Sequence, residues 1–163
     1  MRGCATIHGM LPVLLALLVQ SSTISGTLIA PQGMTAPGSA QVVLLPSEYA
    51  QMFNAEAQQL IDDYWSQYKP EFAANKELFF KVHPVAYREA LDFVIPRMLR
   101  DTKINGSNLI RTAAAGRFEF RGIPPGDYKI IATGSIRGTD YVWSESVHVT
   151  SATLIVQMKN RVP

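Results

Sequence analysis

The 163-residue sequence predicts a mainly β fold with an α insertion: a small antiparallel, Greek-key-like β-sandwich, interrupted after its second strand by two or three helices. Three observations predict it. Apolar and polar residues alternate toward both ends of the chain, which is the period of half-buried strands. Between residues 47 and 101 the apolar period becomes three and four, which is the period of amphipathic helices. Charge divides at the same boundaries, with six basic and nine acidic residues in 47–101 against eight basic and four acidic in 102–163.

The chain opens on an address. Arg2 precedes the apolar run Leu11–Val19, and Gln20-Ser21-Ser22 follows it. A positive start, a short apolar stretch and small residues are the layout of a secretory signal peptide, here residues 1–22 with cleavage near Ser21 or Ser22. The run is too short to span a bilayer, which needs about 20 apolar residues. Cys4 is the one cysteine and would leave with this segment. A disulfide-free exported chain of residues 23–163, forming a single domain, points to a bacterial envelope, periplasmic or secreted.

The first strands are read at Ile24-Gly26-Leu28 and Ala40-Val42-Leu44, with Pro31-Gln32-Gly33 as the turn between them. Ser47 is placed as the cap of the first helix, with Glu48 favourable in its first turn. Tyr49, Met52, Phe53, Leu60, Ile61, Tyr64, Trp65 and Tyr68 form its apolar stripe. Lys69-Pro70 is expected to end it, since a residue before proline avoids helical geometry. A second helix follows from Glu71 to about Val82, and Pro84 opens a third that Pro96 stops or kinks; these two could also be one bent helix. His83 then precedes a helix start. Alternation returns after Ile104, with strands around Phe118-Phe120, Tyr128-Ile130-Ala132, Tyr141-Trp143, Val147-Val149 and Leu154-Val156-Met158. Ala115-Gly116, Gly122–Asp127 and Gly134–Gly138 supply the turns, and Asn105-Gly106 reads as another. Strands with one apolar face need two layers to hide it.

Composition excludes whole classes of function. With 47% hydrophobic residues and a net charge of +2 the chain is neither disordered nor a dedicated nucleic-acid binder. Catalytic chemistry has few candidates. There is no Gly-x-Ser-x-Gly elbow, and His83 and His148 begin neither a His-Glu-x-x-His nor a His-x-x-Glu pattern, so no metal and no cofactor is expected. Asp62 and Asp63 diverge by about 100° on a helix and read as a solvated face.

The segment Gly116-Arg117-Phe118-Glu119-Phe120-Arg121-Gly122-Ile123-Pro124-Pro125-Gly126-Asp127-Tyr128 resembles the signature of the carboxypeptidase regulatory-like domain, a transthyretin-like (prealbumin-like) β-sandwich. Ile24–Leu28 resembles that family's first strand, Ser39–Leu44 its second, and Val147–Thr150 with Leu154–Val156 its last two. The resemblance implies a non-catalytic accessory module. Within it Gly116, Phe118, Phe120, Gly122, Pro124, Pro125, Gly126 and Tyr128 form a structural corner. The helical block departs from the family pattern. The aromatics Trp65, Tyr68, Tyr141 and Trp143 are the binding candidates, for a protein or envelope component, or for a glycan if their faces are exposed. An enzyme with a site in the insert would need His83 joined to Glu89 or Asp92.

Overall fold

The structure is a computed structural model that describes residues 22–150 and 152–160. The expected signal segment lies outside these residues except for Ser22, which already belongs to the first strand. Seven strands follow in chain order: β1 (Ser22–Ile29), β2 (Ser39–Pro46), β3 (Ile110–Ala114), β4 (Arg117–Ile123), β5 (Gly126–Ile136), β6 (Thr139–Val149) and β7 (Leu154–Lys159). Two helices, α1 (Ser47–Ala74) and α2 (Lys76–Arg100), stand between β2 and β3, so the insertion has two helices placed after the second strand. No helix among the described residues is long and apolar enough to cross a membrane.

The strands form one hydrogen-bonded series, β6-β5-β2-β3-β4-β1-β7. It folds at the β3–β4 junction, where the only paired residues are Ala114 and Arg117 across a tight turn. Ala115 and Gly116 both have positive φ there, as do Arg137 and Gly138 between β5 and β6. Two successive positive-φ residues match the twist of the flanking strands, so each hairpin closes in two residues. The result is a sandwich of two layers, β6-β5-β2-β3 and β4-β1-β7, whose free margins touch at a single bridge, Trp143 to Asn160. One ladder departs from the antiparallel expectation: β1 and β7 run parallel, from Ile24 opposite Leu154 to Ile29 opposite Lys159. Alternation has the same pattern in both chain directions and carries no information about this. A parallel pair needs a long crossover, and here everything between the chain ends supplies it.

Between the layers lie Ile24, Leu28, Phe120 and Met158 from one side and Val42, Leu44, Ile130, Ala132 and Trp143 from the other, all buried. Val43, Leu45 and Ile131 point to the opposite face of the larger layer and are equally buried. The helices cover that face. Lys129 of β5 donates to the Asn54 side chain of α1 and lies 5.5 Å from the Phe53 ring, and Arg88 of α2 pairs with Asp140 of β6 at 2.9 Å. The architecture is therefore helices, four strands, three strands. Tyr49, Phe53 and Ala57 recur every fourth residue of α1, and Val82, Ala86, Ala90, Val94 and Met98 every fourth residue of α2. Each large side chain in these rows stabilises the docking by about 1.5–3 kcal/mol.

Several helix boundaries differ from the sequence reading. Pro46, not Ser47, occupies the cap of α1, and no side chain bonds the first turn. Pro70 does not end α1; it kinks it, leaving Tyr68 at φ −113° and ψ 18°. The break falls at Asn75, whose side chain accepts from the Glu77 N–H at 3.0 Å and starts α2. From Lys76 on, the segments read as second and third helices are one continuous helix through Pro84 and Pro96, the alternative that the sequence left open. His83 consequently lies within α2 instead of preceding it. Asn105-Gly106 is no hairpin turn; it opens a short 3-10 helix, Gly106–Leu109, packed on the end of α2.

Candidate functional site

Only the base of the helical hairpin packs on the sheet. After Ala57 no described side chain is buried until Val82. The part of α1 from residue 61 to 74 is about 20 Å of helix at 1.5 Å per residue. On this distal half Trp65, Tyr68 and Phe80 are 40%, 41% and 42% exposed. Tyr64 steadies the pair of helices, donating to Glu89 at 2.8 Å and stacking on Tyr68 at 6.3 Å between ring centres. The bond to Glu89 and burial together raise the Tyr64 phenol above its ordinary range.

Where the hairpin meets the β5–β6 end of the sandwich there is a cleft of about 790 Å³. Phe80, Pro84 and Val85 of α2 form one wall and Tyr141, Val142 and Pro31 the other, with Glu77, Lys81, His83 and Asp140 at polar positions. This volume lies within the about 300–1,000 Å³ usual for ligand sites. The Arg88–Asp140 pair closes one end; both side chains are about half exposed, so the pair contributes at most about 1 kcal/mol. Tyr141 is half-buried and its hydroxyl lies 3.5 Å from the Met34 sulfur. Burial lowers the His83 pKa, which favours the neutral imidazole.

The four aromatic candidates thus separate. Trp65 and Tyr68 stand on the distal hairpin and Tyr141 lines the cleft. Trp143 does not belong to a binding surface. It is fully buried between the layers, with its indole N–H donating to the Ile29 carbonyl at 2.8 Å. A ring enclosed on both faces cannot stack on a sugar, which removes the strongest half of the glycan reading. Phe80 and Pro84 were missed as site residues. The signal was available, because Phe80 falls one helical turn before Pro84 and a proline inside a helix commonly marks an irregular, accessible face.

The corner residues act as scaffold. Gly122 and Gly126 take positive φ on either side of Pro124-Pro125, and the Tyr128 hydroxyl donates back to the Pro124 carbonyl at 3.0 Å. Phe118 and Phe120 point inward, 5.8 Å apart. His148 is exposed and lies 2.7 Å from Asp127 on the neighbouring strand. Among the described residues no group of three or more His, Cys, Asp or Glu is placed to hold a metal ion. Neither Glu89 nor Asp92 reaches the cleft that His83 lines; Glu89 is held by Tyr64.

No known protein family and no curated protein matches the sequence. Solved structures that it resembles include the major pilin subunit BcpA of Bacillus cereus, at 14% identity and a TM-score of 0.40 over 85% of this chain and 29% of that one. The full-length major pilin RrgB of Streptococcus pneumoniae is similar at 15% identity and a TM-score of 0.31, over 86% of this chain and 30% of that one. The chain spans less than a third of the length of either, and both superpositions are loose.

Proposed function

We propose that this chain is an exported, non-catalytic interaction module of the carboxypeptidase regulatory-like type. Its binding surface is the distal helical hairpin together with the cleft beside Tyr141, and its partner is a protein of the cell envelope or of the secreted fraction. The observation that carries this reading is the exposure of Trp65, Tyr68 and Phe80 on a stretch of hairpin in which no described side chain is buried. Exposed aromatic side chains are among the residue types that contribute most of the binding energy in protein interfaces. Export is supported by the apolar run Leu11–Val19 and its flanks. The Gly122–Tyr128 corner supports the family type.

The test compares the wild-type protein with Trp65→Ala/Tyr68→Ala/Phe80→Ala in capture from envelope extract, alongside denaturant unfolding of both. Capture of a discrete protein should fall at least tenfold in the triple variant while its unfolding free energy drops by less than about 2 kcal/mol, against the about 3–5 kcal/mol expected for one buried tryptophan such as Trp143→Ala. Equal capture by both proteins, or a collapse of stability in the triple variant, would overturn the reading.

A further inference from the structure

The layer order sets two charged surfaces at opposite ends of the molecule. From Ser47 to Tyr68 the sequence contains Glu48, Glu56, Asp62 and Asp63 and no basic residue. Glu48, Asp62 and Asp63 are exposed. At 100° per residue Glu48 and Asp62 fall on the side of α1 opposite the Tyr49–Phe53–Ala57 row that packs on the sheet, and Asp63 lies on the flank between. At the other end, the outer face of β4-β1-β7 presents Arg117, Arg121 and Lys159, all exposed. The single carboxylate there, Glu119, is already engaged by Arg121 and by the Ser25 hydroxyl. Ile155 lies on the same face, 79% exposed, and is the most exposed large apolar residue described. Threonine and serine side chains of β1 fill the rest. Among the described residues no layer covers this sheet face.

We propose that copies of this chain associate head to tail, the acidic outer side of α1 in one copy docking on the basic face around Arg117, Lys159 and Ile155 in the next. A second copy is the fitting occupant because the complementary surface is carried by the same chain, on the far side of its layer stack. Two different patches in contact make a heterologous interface, so the assembly grows by repetition and does not stop at a two-fold dimer. Charge supplies orientation and rate, and the flat face buries Ile155. The contact does not use the cleft, and charge reversal at Asp62 and Asp63 leaves the exposed aromatics in place, so its failure leaves the proposed function standing.

Sedimentation velocity of the purified protein over a concentration series, in about 0.05 M and about 0.5 M salt, tests this. At low salt the weight-average mass should rise past twice that of one chain without a plateau, and it should fall back toward one chain at high salt. Arg117→Glu/Lys159→Glu and Asp62→Lys/Asp63→Lys should each remain monomeric alone, because each sets like charges against each other. A mixture of the two should associate again, since each variant's reversed surface faces its complement. All these residues are exposed, and circular dichroism checks that the variants are folded. A monomeric wild type at low salt, a mass that stops at a dimer, or association that persists in either variant alone would overturn the proposal.

Discussion

Gly26 shows how one missing side chain organises a layer. It lies opposite Phe118 on the neighbouring strand, and the ring covers it so closely that an added Cβ would fall 2.0 Å from the ring tip. Gly26→Val should therefore displace Phe118 and cost about 1–3 kcal/mol in denaturant unfolding, the range for overpacking a core. Tyr49 is the residue with the clearest pH signature. Burial first, and then the 2.8 Å hydrogen bond to Asp101, push its phenol up to about 12 from 10.0. The unfolded chain loses that proton near pH 10 and the folded chain only near 12. The tyrosine's contribution is complete below pH 10 and disappears as the pH rises to 12. Unfolding measured from pH 9 to 12 should show a steeper loss for wild type than for Tyr49→Phe, and parallel curves would contradict the assignment. At this scale the corner glycines, prolines and Tyr128 were legible in the sequence because each residue type has one dominant local use. Trp143 was ambiguous. Parity places it with Tyr141 on one face of a strand, and parity does not say whether that face meets a second layer or water.

Among the elements, β2 holds the most instructive miss. Ala40, Val42 and Leu44 read as an alternating strand, yet Val42-Val43-Leu44-Leu45 is a continuous apolar run and all four side chains are fully buried. Continuous runs belong to strands covered on both faces, and the covering layer is the helical hairpin itself. The same holds for Ile130-Ile131-Ala132. These runs were therefore a direct trace of the third layer. The helices show the opposite error. Rules for proline predicted a helix end at Pro70 and a stop or kink at Pro96, and left open whether Pro84 opens a new helix or lies inside one; a packed helix keeps all three, and a side chain beside Pro96 takes up a carbonyl, as Arg97 does from Phe93 at 2.5 Å. The element-scale prediction follows from the kink at Tyr68, the one place in α1 where φ and ψ leave the helical region. Pro70→Ala restores a backbone N–H and lets Tyr68 return to helical geometry, so helical circular dichroism should increase and stability should rise by about 1–3 kcal/mol. An unchanged spectrum would mean that the kink is imposed by packing and not by the proline.

Across the whole molecule, the sandwich serves as a rigid mount. Its core lies between the layers, the base of the hairpin is fixed by Tyr49, Phe53, Val94 and Met98, and Trp65, Tyr68 and Phe80 on the distal half of the hairpin are exposed. The two layers and the inserted helices were readable from periodicity alone. The cleft was not, because it forms where Phe80 and Pro84 meet Tyr141 and Val142, residues some sixty positions apart, and no local pattern records such a meeting. The central claim is that the projecting aromatics contact a protein. Its most direct measurement is a photo-crosslinking amino acid placed at Tyr68, compared with one at Thr112 on β3, in cells that make the protein, with the adducts identified by mass spectrometry. The account predicts a discrete adduct with another protein from position 68 and no such adduct from position 112, where a second copy of this chain is the one partner expected. No adduct from position 68, or the same adducts from both positions, would contradict it.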